Sequence, residues 1–404
     1  MRIAQITYST RPRGGVVHTL ALSEALARRG HDVTVWTLGR GGDGAFFRPV
    51  DPAVRVRVVP FEARDDESVG ERIERSIRVM ARSLRDAGTA GIVHAQDCIS
   101  ANAVVAAGGA CVRTVHHLDE FTTPRLVECH DLAVTAPVAR LCVSRAVAQE
   151  VADGYGVVPT VIPNGVDAAR FAAAASPAGA AARAAWRLRL GPYVLALGGI
   201  EPRKGSIDLL EAFAVLRAER PDLALVIGGG ETLFDYRDYR ARFETRAREL
   251  GVEPVVLGTL ADDDVPPLVA AASALAMVST KEGFGLAAME GLAAGVPVVA
   301  RDLPVTREVF GGCVRYGRDV PGIVEAVRAA LGGGVEGDGA PGAEGDGDGV
   351  GGDDATEAGR ALARAHAWDT AAAAHERFYR HVLREGGDGG AAVPLTDPHA
   401  ARAG

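Results

Sequence analysis

Short apolar runs alternate with segments of helical period along most of the chain. Residues 2–8 read as a strand and 16–29 as a helix, with Leu20, Leu22, Ala25 and Leu26 available for packing. Gly30 stops that helix, and 31–36 is a second strand, so the chain opens with a strand–loop–helix–strand unit. Residues 71–86 place Ile73, Ile77, Met80 and Leu84 on one helical stripe. Residues 91–95, 112–116 and 141–144 are further strands, and 160–162 is a strand that runs into the turn residues Pro163-Asn164-Gly165. An Ala-rich stretch at 172–185 separates this series from a second one. The second has strands at 193–197, 223–227, 255–257, 274–278 and 295–300, with helices predicted at 207–217, 265–272 and 286–294. These strands are continuously apolar rather than alternating, the mark of parallel strands covered on both faces by helices. The pattern predicts an α/β protein with two βα halves. Helical period returns over 357–383, with Trp368, Phe378 and Tyr379 as anchors.

Composition sharpens this picture in three places. With 404 residues, two or three domains are expected, and 48% hydrophobic but only 5% aromatic residues means a core of Ala, Val and Leu. The net charge of −8 is local: residues 332–356 hold seven acids and no base, so the rest is near neutral and no nucleic-acid-binding field is implied. That Gly- and Asp-rich stretch reads as a disordered insertion, and 385–404 as a loose tail. The five cysteines, Cys98, Cys111, Cys129, Cys142 and Cys313, show no C-x-x-C and predict inert thiols rather than a disulfide framework or zinc site. Neither a signal peptide nor a membrane-spanning run is evident, so a soluble cytoplasmic protein is expected.

Candidate chemistry concentrates at Thr280-Lys281-Glu282-Gly283-Phe284-Gly285-Leu286, which links the strand at 274–278 to the helix at 286–294. A strand-to-helix turn rich in glycine suits a phosphate, because the first-turn amides and the helix dipole both favour an anion. Glu290, eight residues after Glu282, is a carboxylate able to accept two hydrogen bonds from a ribose diol. Arg203 and Lys204 lie at the mouth of another strand–helix loop and suit a diphosphate, alternatively forming a plain surface pair. Asp262-Asp263-Asp264 reads as a helix cap rather than a metal site. The Arg-rich face of 71–86 reads as solvated, with contact to a membrane surface or acidic acceptor as the other option.

The string Glu282-Gly283-Phe284-Gly285-Leu286 to Glu290, together with Val161-Ile162-Pro163-Asn164-Gly165-Val166-Asp167, resembles the retaining glycosyltransferases of carbohydrate-enzyme family four, glycosyl transferases group 1. The segments 7–20 and 94–100 look like a bacterial subfamily of unassigned acceptor. The resemblance covers roughly residues 1–330 and the final helix. It implies the GT-B fold, two Rossmann-like domains facing across a cleft: an N-terminal acceptor-side domain at 1–164 and a nucleotide-sugar-binding domain at 165–384, with a last helix near 367–384 packing back on the first. It implies catalytic roles for His116, Glu282, Arg203 and Lys204, with His117 the alternative histidine. Donor contacts would come from Gly14, Gly15, Gly229, Gly230, Gly258, Gly283, Phe284, Gly285, Leu286 and Glu290. Arg11, Gln96, Asp97 and His117 are the acceptor-side candidates. Family members often carry Gly-Arg where this chain has Gly198-Gly199, so Arg203 is read as the replacement. The implied reaction moves a sugar from a nucleotide-diphosphate sugar to a hydroxyl of a small-molecule, glycan or lipid acceptor, with retention and without metal or cofactor. A nucleotide-sugar epimerase and a non-catalytic nucleotide-sugar-binding protein remain as alternatives.

Overall fold

Among the described residues, thirteen parallel strands divide between two sheets. The computed structural model describes residues 1–62, 64, 67–88, 91–118, 124–230, 236–332 and 352–387, excepting the side chains of 352–354 and 386–387. The first unit comprises residues 1–165 together with the chain from Trp368, and the second comprises Val166–Ala367.

In the first unit the strands are β1 (Arg2–Ile6), β2 (Asp32–Arg40), β3 (Val54–Phe61), β4 (Ile92–Ala95), β5 (Val112–Val115), β6 (Ala139–Cys142) and β7 (Thr160–Val161). They lie in the order β3-β2-β1-β4-β5-β6-β7. Chain order therefore reverses between β1 and β4, and ligands of open α/β sheets bind at the carboxyl ends of strands beside such a switch. The helix Gly14–Arg28 buries Val16, Leu20, Leu22 and Leu26 against Val33 and Val35 of β2. The helix Trp368–Gly387 belongs to this same core, through Trp368, Ala371, Ala372 and Tyr379. Val54-Arg55-Val56-Arg57 alternates apolar and basic residues, yet β3 pairs with β2 from Val33↔Val54 to Arg40↔Phe61. That strand is absent from the sequence-based expectations.

The second unit holds β8 (Tyr193–Leu197), β9 (Ala224–Gly228), β10 (Val255–Gly258), β11 (Ala274–Met277), β12 (Val298–Arg301) and β13 (Arg315–Gly317), in the order β10-β9-β8-β11-β12-β13. Its switch point falls between β8 and β11. Leu209, Phe213 and Leu216 of the helix Ser206–Glu219 join Val194, Leu225, Ala276 and Val327 in one apolar cluster.

Four expectations need correction. The single helix over 357–383 is two, Gly352–Ala365 and Trp368–Gly387, interrupted where Val166 N donates to His366 O at 2.7 Å and Val166 bridges Ala367. Residues 352–356, expected within the insertion, start the first of them, while 333–351 lie outside the described residues. The last helix runs past 384 to Gly387, and 388–404 also lie outside the described residues. The helix Val69–Ala87 is not solvated along its whole basic face: Arg75 is buried, pairs with Glu67 at 2.6 Å and stacks 3.9 Å from the Phe61 ring centroid. None of the five cysteines is in a disulfide.

Candidate active site

In the second unit the loop after β8 folds onto the loop after β11. A 3-10 turn, Pro202–Lys204, places Arg203 O to accept from Thr280 N at 2.8 Å. Lys204 Nζ then lies 3.2 Å from Glu282 Oε2, and Arg203 lies 3.7 Å from the same carboxylate and 3.5 Å from Glu201. Residues 78 positions apart in sequence thus converge at the switch point. Two cations gathered by one or two carboxylates have spare capacity for an incoming dianion.

Gly285 follows with φ of 94°, a left-handed conformation at the N-cap of the helix Leu286–Ala294. A Cβ there would come within 2.8 Å of both Met277 Cε and Phe310 Cζ. No side chain caps this helix, so its first-turn amides stand ready for an anion. Phe284 is buried with its ring 5.6 Å from His366, and contributes backbone rather than side chain to the turn. Gly229 packs so closely on the loop after β8 that a Cβ would sit 2.3 Å from the Gly198 carbonyl carbon. Gly230 lies against Thr259, and Gly258 ends β10.

Glu290 occupies the second turn of the helix Leu286–Ala294 and is half-buried. Desolvation pushes its carboxyl up to about 7, with Arg170 opposing and Asp262 adding to the shift. Asp262 pairs with Arg170 at 2.8 Å. This corrects the capping role expected of Asp262-Asp263-Asp264: the three form a 3-10 turn, and Asp264 makes no side-chain cap bond to the following helix.

The sign of the resulting pH dependence follows from linkage. Below the ordinary value of 4.5 the carboxyl is protonated both folded and unfolded. Between 4.5 and about 7 the unfolded chain releases the proton while the folded one retains it, so stability falls with rising pH. Glu290→Gln should melt like wild type near pH 4.5 and be more stable by ~3 kcal/mol at pH 8. Equal melting at pH 8 would show that Glu290 is not desolvated in the ligand-free protein.

The first unit gathers a polar cluster beyond β1, β4 and β5. Gly14 and Gly15 open the helix Gly14–Arg28 instead of ending the loop before it, and a Cβ on Gly15 would lie 3.9 Å from the His116 ring. His116 Nε2 lies 3.2 Å from Gln96 Oε1, and Gln96 Nε2 donates to Gln5 Oε1 at 2.8 Å. Gln5 Nε2 donates to Tyr379 Oη at 3.2 Å, Tyr379 Oη is 2.6 Å from His94 Nδ1, and His94 Nε2 is 2.7 Å from Thr114 Oγ1. The amide of Gln96 has its NH₂ on Gln5, so its oxygen accepts from His116. The relay therefore puts the His116 proton on Nε2 and leaves the Nδ1 lone pair.

Burial pushes His116 well below its ordinary value, with Arg113 and the other histidines adding. Burial does the same to His18 and His94, and brings His375 to about 4. The cluster is neutral. The His18 ring packs 4.8 Å from His116 and 5.4 Å from Trp368.

Other predicted residues are placed differently. Asp97 caps the helix Cys98–Ala106 and is engaged by three donors, Ser100 N, Ser100 Oγ and Tyr8 N, at 2.8, 2.8 and 3.0 Å. Burial raises its carboxyl. Arg11 is exposed, 3.9 Å from Asp43. His117 is half-buried next to His116. Gln5, His18, His94, His375 and Tyr379 were not foreseen. The available signal was a polar residue inside an apolar strand, Gln5 in Arg2–Ile6 and His94 in Ile92–Ala95.

Comparison with known proteins follows this division. Residues 12–170 match the family Glycosyltransferase Family 4, and residues 184–314 match Glycosyl transferases group 1. The chain is 30% identical to a D-inositol 3-phosphate glycosyltransferase of Salinispora arenicola over 361 residues, covering 79% of each chain. It is 28% identical to a glycogen synthase of Mycobacterium tuberculosis over 381 residues, covering 82% of this chain and 86% of the relative. Among solved structures, sucrose-phosphate synthase from Thermosynechococcus elongatus superposes with a TM-score of 0.73 at 18% identity, covering 95% of this chain and 99% of that one. HepE of Anabaena, in complex with UDP and glucose, gives 0.70 at 20% identity, covering 94% and 99%. With both halves matched and a relative at this identity spanning most of its length, the chain belongs to the group 1 glycosyltransferases of family four, enzymes of GT-B architecture.

Proposed function

We propose that this glycosyltransferase moves a hexosyl unit from a nucleoside diphosphate sugar to an acceptor hydroxyl, with retention of anomeric configuration and without a metal ion. The observation that carries the reading is the convergence of Arg203, Lys204 and Glu282 beside an uncapped helix N-terminus at the β8/β11 switch point. Charge develops on the departing diphosphate during transfer, and fixed cations with aligned amides stabilise it there. Arg203, Lys204 and the amides of Gly283, Phe284 and Gly285 take that part. Glu290 holds the ribose and Glu282 the donor-sugar hydroxyls. His116, neutral and oriented by Gln96, positions the donor sugar for attack.

The Anabaena structure with UDP and glucose supports a uridine nucleotide as the first donor to try. The relatives reported above differ in the acceptors their names state, so the acceptor is a separate question. They are named as transferases and synthases, and no feature of the site favours an epimerase; the histidine cluster argues against a protein that only binds the nucleotide. The cytoplasm is the proposed location. No helix among the described residues is long and apolar enough to cross a membrane, and peripheral contact through the helix Val69–Ala87 is not favoured.

The test is a panel of nucleotide sugars, with release of nucleoside diphosphate followed with and without cell extract. Acceptor-dependent release supports transfer. Conversion of the donor in the absence of extract would replace it with the epimerase reading, and donor binding without any turnover would leave a binding protein. Excess EDTA should leave the rate unchanged. Loss of activity that Mg²⁺ or Mn²⁺ restores would overturn metal independence.

A further inference from the structure

The strand β12 is apolar up to its last residue, Val298-Val299-Ala300-Arg301, and ends in a charge that is only 8% exposed. The Arg301 Nε donates to Val278 O at 2.8 Å, in the loop after β11. Its Nη1 donates to Arg318 O at 2.9 Å, just past β13. Its Nη2 pairs with Asp208, in the first turn of the helix Ser206–Glu219 that follows β8. One guanidinium therefore ties the end of its own strand to the segments that follow β8, β11 and β13. A buried guanidinium costs stability unless its nitrogens find such acceptors, and its planar fork then fixes their relative positions.

Gly205 is where this tie meets the cations of the proposed diphosphate site. It follows Lys204 directly and has a φ of 64°. A Cβ on it would lie 2.3 Å from Val278 O and 3.0 Å from Arg301 Nη2. The turn Pro202–Gly205 thus rests on Arg301 and on the carbonyl that Arg301 holds. The same turn is joined to the loop after β11 by Thr280 N, which donates to Arg203 O at 2.8 Å, and by Arg203 Nη1, which donates to Lys281 O at 3.3 Å. No side chain at Gly205 caps the helix Ser206–Glu219, and Ile207 N donates to Tyr239 Oη at 3.2 Å. That leaves Asp208 to Arg301. Without Arg301 this carboxylate, four residues after Lys204, would oppose the approach of an anion.

We propose that Arg301 is a positioning residue for the transfer: from the end of β12 it holds the turn Pro202–Gly205 on the loop after β11, so that Arg203 and Lys204 stand where charge develops on the leaving diphosphate. The inference rests on the glycosyltransferase reading and adds to it a residue that acts through Arg203 and Lys204 rather than on the substrate. Lysine at position 301 keeps the charge, but a single ammonium cannot span three acceptors on three segments. The fold then survives while the two cations lose their register with the reacting bond.

The experiment uses the full-length protein and two probes. Pyrophosphate, followed by calorimetry, reads the cation turn without nucleoside or sugar. Saturating UDP-glucose, with cell extract as the acceptor source, reads transfer through release of UDP. Arg301→Lys should lower UDP release by about 10-fold or more, the scale of misplacing a catalytic group. It should weaken pyrophosphate by only about 3-fold. A role confined to folding would lower the melting temperature without this split between rate and affinity. In a Lys204→Ala background the same change should cost at most about 3-fold in rate, because one of the two cations it positions is gone. Gly205→Ala pushes the turn off Val278 and Arg301 while leaving the guanidinium in place. It should reproduce the loss, and it decides the matter if Arg301→Lys does not fold. Wild-type rate and pyrophosphate affinity in folded Arg301→Lys or Gly205→Ala protein overturn the proposal. So does a cost of Arg301→Lys that is the same with and without Lys204, and so does a wild type that binds no pyrophosphate. A wild type that binds pyrophosphate but does not turn over UDP-glucose counts against the transfer reading alone, and the pyrophosphate affinities still decide the role of Arg301.

Discussion

Replacing His116 with alanine should lower turnover at saturating donor by at least about 10²-fold, the scale of losing a positioned catalytic group, while UDP affinity stays nearly intact. His116 stands in the first unit, whereas the cations and helix terminus suited to the nucleotide are in the second. Its imidazole is held neutral by burial, and the relay through Gln96, Gln5, Tyr379 and His94 fixes its orientation and tautomer. A group so placed can direct a sugar hydroxyl without adding to binding of the bare nucleotide. Glu290→Ala is the counterpart: donor binding should weaken by about 1–3 kcal/mol, with a smaller change in turnover, because ribose contacts are the same before and during transfer. Calorimetry with UDP and initial rates separate the two effects. If His116→Ala abolishes UDP binding while Glu290→Ala only slows turnover, the two units have been given the wrong roles.

What the sequence revealed, and what it did not, follows from the range of each signal. The strand–turn–helix at 274–294 was legible because the apolar run, the glycines and the helix formers are contiguous. The pairing of Lys204 with Glu282 was not, since only the neighbouring placement of β8 and β11 joins residues so far apart. The relay on His116 was likewise hidden: Gln5, His94 and Tyr379 come from two strands and the last helix, and no local pattern relates them. β3 was missed because Arg55 and Arg57 interrupt its apolar run, although strict alternation is itself a strand signal when one face is exposed. Asp262-Asp263-Asp264 went wrong in the opposite way. A local capping rule was applied where a long-range partner, Arg170, takes the first carboxylate.

Lys204→Ala should reduce turnover by about 10²–10³-fold, the range for removing one fixed electrostatic contact to a developing charge. In the ligand-free protein its ammonium rests 3.2 Å from Glu282 Oε2. That contact holds the side chain at the mouth of β8, but it also places a carboxylate where a diphosphate must approach. In the proposed reaction, donor binding would exchange a protein carboxylate for phosphate oxygens as the lysine's partner. The exchange is close to balanced in the ground state and becomes favourable as the bond to the leaving diphosphate breaks and its charge rises. Lys204→Ala should accordingly weaken UDP by only about 10-fold, the equivalent of one charge-assisted hydrogen bond. Glu282→Gln gives the opposite sign on binding. Removing the competing negative charge should leave UDP affinity unchanged or tighter, while transfer slows because the donor-sugar hydroxyls exchange a charged two-oxygen acceptor for a single neutral amide oxygen. UDP titrations of the two variants, set beside single-turnover rates, test this division. Should Glu282→Gln weaken UDP as much as Lys204→Ala does, the carboxylate serves to hold the cation in place for the nucleotide, and its assignment to the donor sugar fails.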